Sequence, residues 1–119
     1  VRAAEEAIAY QIRDITEQLA LCGKTVGLLC VDGGATNDQF LMQFVSDMTG
    51  APLKRSSIEE LSAAGAAYLA ALSVGIATQT EIFSSIEYTQ VEPSMQQTQR
   101  ERLYKGWKKA VAMVTEKKR

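Results

Sequence analysis

The chain has 119 residues, 46% hydrophobic and 23% charged, with a formal net charge of −1. That composition fits one globular domain able to bury about two-thirds of its unfolded surface. It contains no histidine, which excludes a His base, a His metal ligand and a His pH switch from this segment. The two cysteines, Cys22 and Cys30, are too few for a disulfide scaffold or a Cys-only zinc site.

Residues 3–21 read as an amphipathic helix, with Ile8, Ile12, Ile15 and Leu19 on one stripe and Gly23 just past its end. Residues 25–31 form a short apolar run with little alternation, which predicts a strand buried on both faces, with Cys30 in the core. Asp32-Gly33-Gly34-Ala35 then punctuates the chain as a tight turn. A second helix is expected over 37–49, with Phe40, Leu41, Phe44, Val45 and Met48 as its apolar face. Thr36 with Gln39 fits a capping box at its start, and Gly50 closes it.

Residues 52–56 predict a short strand that Pro52 begins. Ser57 with Glu60 fits another capping box, opening a helix from Ile58 to about Gly75. The alanines at 63, 64, 66, 67, 70 and 71 predict close packing of that helix in the core, so Ala67→Leu is expected to overpack. Residues 76–98 are mixed and polar and read as a surface excursion. The last helix runs from about Gln96 to Glu116, with Leu103, Trp107, Val111 and Val114 on one stripe and Trp107 as its anchor.

Strands alternating with helices indicate an α/β fold with a parallel sheet. Two strands are few for so many amphipathic helices, and the chain begins without Met. Both features predict that further strands lie upstream of Val1. The strand at 25–31 then carries an unpaired edge, so self-association into a homo-oligomer is expected. No apolar window reaches membrane-spanning length, so no membrane partner is expected. Free thiols favour a reducing, cytoplasmic compartment.

Charge is unevenly placed. Residues 100–119 hold eight basic and two acidic residues, a local net of +6, whereas residues 1–99 sum to −7. A basic tail can bind an acidic partner, but it equally suits a solvated terminal helix with cations near its C-terminal end. No base-reading motif accompanies it, so no nucleic-acid partner is expected.

The turn at 31–35 joins a predicted strand to a helix start. In open α/β sheets ligands bind outside the carboxyl ends of strands, and a helix N-terminus offers unpaired amides to phosphate. By spacing alone this segment is either a phosphate cradle or a plain βα turn. Asp32 is either a ligand to a metal-bound water or a turn cap.

Four blocks in order carry a resemblance. Glu6-Ala7-Ile8-Ala9-Tyr10-Gln11 with Arg13-Asp14 comes first. Val31-Asp32-Gly33-Gly34-Ala35 follows, with Phe40-Leu41-Met42-Gln43-Phe44 and Ser46-Asp47-Met48-Thr49-Gly50 after it. Then come residues 64–75 and Tyr104-Lys105-Gly106-Trp107-Lys108-Lys109-Ala110-Val111. Together they resemble the C-terminal domain of the glycerol kinase-like members of the FGGY carbohydrate kinase family.

The resemblance implies an actin-like, RNase H-like ATPase fold, of which residues 1–119 form a single partial domain, the C-terminal portion of the nucleotide-binding domain. It implies transfer of the ATP γ-phosphoryl group to a glycerol or polyol hydroxyl. Gly33, Gly34 and Ala35 would line the phosphates of ATP or ADP. The family's usual Asn beside adenine falls on Asp38, which only accepts hydrogen bonds. The general base, the glycerol contacts and most of the Mg²⁺ site would lie in the other domain, leaving no catalytic residue and no metal ligand here. The isolated chain is expected to be inactive. The alternative is a non-catalytic interaction or regulatory module derived from such a domain.

Overall fold

The computed structural model describes residues 1–58 and 60–116. In chain order it contains α1 (Arg2–Leu21), β1 (Leu29–Val31), a 3₁₀ turn (Gly34–Asn37), α2 (Gln39–Thr49), β2 (Leu53–Ser56), α3 (Leu61–Ser73), α4 (Gln79–Ser85), β3 (Tyr88–Val91) and α5 (Gln97–Thr115). The strands form one sheet in the order β1-β2-β3. β1 and β2 are parallel, with Leu29 opposite Leu53 and Val31 opposite Arg55. β3 runs antiparallel to β2, with Val91 opposite Leu53, so the sheet is mixed.

Helix α2 forms the middle of the core. Leu41, Met42, Phe44, Val45 and Met48 cluster with Ala9 and Tyr10 of α1, Tyr104 of α5 and Leu53 of β2. Leu29, Val31 and Val91 pack against the same cluster from the sheet, and Leu103 and Trp107 from α5. Gly50 ends α2 in the left-handed conformation, φ 70°. A Cβ there would lie 2.5 Å from Arg100 Nη1, the movable end of a long side chain, so it is the backbone conformation that calls for glycine.

Two buried polar residues of α2 fasten the segment after β3. Asp47 accepts hydrogen bonds from the backbone amides of Ser94 (2.6 Å) and Met95 (2.9 Å). The Ser46 hydroxyl donates to the Ala51 carbonyl at 2.9 Å. Burying these groups is tolerable because each is paired.

Helix α5 is held to α1 by polar contacts around an aromatic stack. Trp107 stacks on Tyr10 with ring centroids 5.4 Å apart, and its indole N–H donates to Asp14 at 2.9 Å. The Tyr104 hydroxyl also donates to Asp14. Arg13, 7% exposed, pairs with Glu101 at 2.7 Å and lies 3.9 Å above the Tyr104 ring. Trp107 is thus the half-buried anchor of α5, as its position on the apolar stripe predicts.

Several expectations change. The stripe of α1 points largely outward: Ile8, Ile15 and Leu19 are exposed, and the helix buries Ala9, Tyr10 and Arg13 instead. Contact with α2 selects the face that carries the small Ala9 and the ring that stacks on Trp107. The strand over 25–31 shrinks to Leu29–Val31, and Cys30 is exposed, because β1 is a sheet edge with one uncovered face. No residue of α3 is buried, so the alanines do not pack in a core and Ala67→Leu meets no crowding.

The cap expected from Ser57 and Glu60 is not formed. Helix α3 starts at Leu61 after Glu60, without a side-chain cap. The excursion at 76–98 is more ordered than its composition indicates. It contains α4, opened by a capping box of Thr78 and Glu81, and the third strand. Lys117, Lys118 and Arg119 of the basic tail lie outside the described residues. Among the described residues no helix is long and apolar enough to cross a membrane.

Burial, then the Asp14 hydrogen bond, pushes the Tyr104 pKa up, above the usual tyrosine range. A raised folded-state pKa means that the unfolded chain releases this proton first, so stability falls as pH rises above about 10. Denaturant titrations from pH 8 to 11 should show this decline, and Tyr104→Phe should reduce it, leaving the smaller part due to Tyr10, whose pKa burial also raises. At neutral pH the same change should cost about 1 kcal/mol through the lost hydrogen bond.

Candidate functional site

The site is built where β1 gives way to α2. β1 ends at Val31, and exposed Asp32 follows. Gly33 has φ 90° and ψ 169°, a region that side-chain-bearing residues avoid. The next four residues coil into the 3₁₀ turn, which closes on Gly33. The Thr36 amide donates to the Gly33 carbonyl at 3.0 Å, and the Thr36 hydroxyl donates to the same oxygen at 2.7 Å.

Gly34 differs from Gly33. Its backbone is not in the left-handed region, and a Cβ built on it meets no atom within 4 Å. Nothing within the described residues requires glycine there. Gly34 and Ala35 are both exposed, at the first positions of the 3₁₀ turn, where amides have no partner inside the helix.

Asp38 caps α2. Its Oδ1 accepts the Leu41 amide at 3.0 Å, and its own amide donates to the Ala35 carbonyl at 3.2 Å. The cap is therefore Asp38 and not the expected pair of Thr36 and Gln39. The extra helical turn between β1 and α2 moves the start of α2 two residues downstream. A carboxylate at this place is favoured by the helix dipole and satisfies one orphan amide.

The four residues singled out from the sequence, Gly33, Gly34, Ala35 and Asp38, thus lie on one short turn at the carboxyl end of β1. One residue was missed. Arg55 of β2 stands beside Val31 in the sheet and donates from Nη1 to the Thr36 carbonyl at 2.7 Å. Arg55 and Thr36 also line a cleft of about 290 Å³ with Gln39, Gln43 and Thr89. Only the parallel pairing of β1 with β2 brings Arg55 to the turn, and no local spacing signals it.

The donor set does not fit a metal. Among the described residues no three Cys, Asp or Glu side chains converge to hold one. The result is a small α/β domain with an exposed βα turn in front of a helix start, the place where open α/β sheets commonly take their ligands.

Comparison with known proteins is more specific. The model of the C-terminal domain of the FGGY family of carbohydrate kinases matches residues 1–74. This chain belongs to that family. It is 44% identical over 114 residues to a glycerol kinase of Streptococcus sanguinis, covering 93% of this chain and 23% of the relative. It is 47% identical to a glycerol kinase of a Geobacillus species over the same shares.

Among solved structures, Plasmodium falciparum glycerol kinase with ADP superposes with a TM-score of 0.77 at 30% identity, over 94% of this chain and 23% of that one. A xylulose kinase of Rhodospirillum rubrum superposes with a TM-score of 0.76 at 22% identity, over 97% and 24%. The latter likeness concerns the fold alone. The chain spans about a quarter of the length of the relatives it matches.

The two glycines should respond differently to substitution. Gly33→Ala forces a side chain into a region reserved for glycine and should cost about 1–3 kcal/mol. Gly34→Ala enters open space and should change stability by about 0.5 kcal/mol or less. Urea denaturation of both variants separates them.

Proposed function

We propose that this chain is the nucleotide-binding C-terminal portion of an ATP-dependent glycerol or polyol kinase. The observation that carries the reading is Gly34. Its glycine is unexplained by backbone or packing among the described residues, yet it stands on the exposed turn before α2. Gly27, Gly65 and Gly106 are equally open, so what supports the reading is the place of Gly34 at the carboxyl end of β1, where no Cβ stands in the way of a ligand. Membership of a carbohydrate kinase family supports ATP or ADP as that ligand.

In this reading the Gly34 and Ala35 amides donate to phosphate oxygens. Asp38 keeps one oxygen on the Leu41 amide and offers the other as an acceptor for the adenine amino group. Phosphoryl transfer requires positioning and charge stabilisation from both sides of the transferred group. This turn forms one side. In this reading the base, the polyol pocket and most of the Mg²⁺ site belong to other parts of the kinase.

Calorimetric titration with ADP tests the reading. Binding on the order of millimolar or tighter is expected, and Gly34→Arg should abolish it by filling the approach to the turn. No glycerol-dependent ATP turnover is expected from this chain alone. Absence of heat at about 10 mM ADP would count for a non-catalytic module instead.

A further inference from the structure

Arg55 reaches the βα turn from the neighbouring strand. Its guanidinium donates to the carbonyl of Thr36, in the last turn of the 3₁₀ segment, at 2.7 Å. Thr36 is itself buried and closes the turn onto Gly33 through both its amide and its hydroxyl. The bond therefore ties the turn that carries Gly34 and Ala35 to the sheet. Thr36 and Asp38 also fasten this turn, through bonds within the segment itself.

The charge of Arg55 matters as well as its bond. Asp32 and Asp38 bracket the turn in the chain, so a polyphosphate approaching it meets two carboxylates. Among the described residues Arg55 forms no salt bridge, so its charge is not cancelled by a carboxylate there. It stands on the turn's own carbonyl, where a cation offsets that negative potential.

We propose that Arg55 is a positioning residue for the phosphates. It fixes the Gly34–Asn37 turn against β2 so that the Gly34 and Ala35 amides stay aimed outward, and it balances the flanking carboxylates. The inference rests on the nucleotide reading of the turn. Its chemistry predicts dependence on phosphate and independence from the base.

The test compares this chain with Arg55→Met and Arg55→Lys, using ADP and adenosine as probes. Arg55→Met should weaken ADP binding by about tenfold or more, the usual effect of removing a charge-assisted hydrogen bond, and adenosine binding by about twofold or less. Arg55→Lys keeps the charge and a donor, and should restore ADP affinity to within about threefold of the original.

Amide exchange without nucleotide gives an independent readout. In Arg55→Met the Thr36, Asp38 and Leu41 amides should exchange about tenfold faster, with Val45 and Met48 in the core unchanged. Equal ADP affinity in Arg55→Met, equal losses for ADP and adenosine, or uniform loosening of α2 would each overturn the proposal. If the unaltered chain binds neither ADP nor adenosine, the nucleotide reading fails on its own, and the exchange rates alone decide whether Arg55 holds the turn.

Discussion

Helix α2 buries seven of its eleven residues, and that burial sets the position of the other elements around it. Its apolar side chains touch α1, α5 and β2 at once, so no one neighbour can shift without opening the core. Two of its buried residues are polar, and both are used as fasteners. Ser46 holds the loop into β2, and Asp47 holds the chain that leads from β3 into α5. A helix that is buried on most sides must satisfy such groups internally, and here backbone amides and carbonyls from distant segments do so.

The same helix connects the core to the candidate site. Its C-terminal end is closed by Gly50 under Arg100, and its N-terminal end by Asp38. Because the helix is fixed along its length, its first turn is a rigid platform, and the 3₁₀ segment is held between it and β1. Arg55 adds a cross-strand restraint to that platform. The candidate site is thereby carried on a short exposed loop whose two ends are anchored in the best-packed part of the molecule.

The contrast between α2 and α3 shows what amphipathic pattern can and cannot decide. Both helices are apolar in composition, yet α2 is enclosed and α3 has no buried residue. A helix's hydrophobicity states that it has surface to bury, not which partner covers it. The outward stripe of α1 and the exposed face of β1 make the same point. The chain corresponds to about a quarter of its kinase relatives, and these faces are the ones for which the chain itself supplies no cover.

Local chemistry was legible from the residues. Alternating turn glycines, apolar spacing and helix stops placed α1, α2, the parallel pair and α5 within a few residues, because those signals act over one or two helical turns. The glycine turn at 32–35 was legible for the same reason, whereas Asp38 was singled out by the family resemblance alone. The third strand was not, since Tyr88–Val91 lies in a polar stretch and is a strand only because β2 offers it an antiparallel edge. Nor was the true cap of α2, which a 3₁₀ turn displaced, nor Arg55, which neighbours the site through strand register alone. The sequence by itself determined α1, α2, the parallel pair, α5 and the glycine turn between β1 and α2. Tertiary structure alone decided which faces are buried and which distant side chain steadies that turn, because both depend on contacts between segments far apart in the chain.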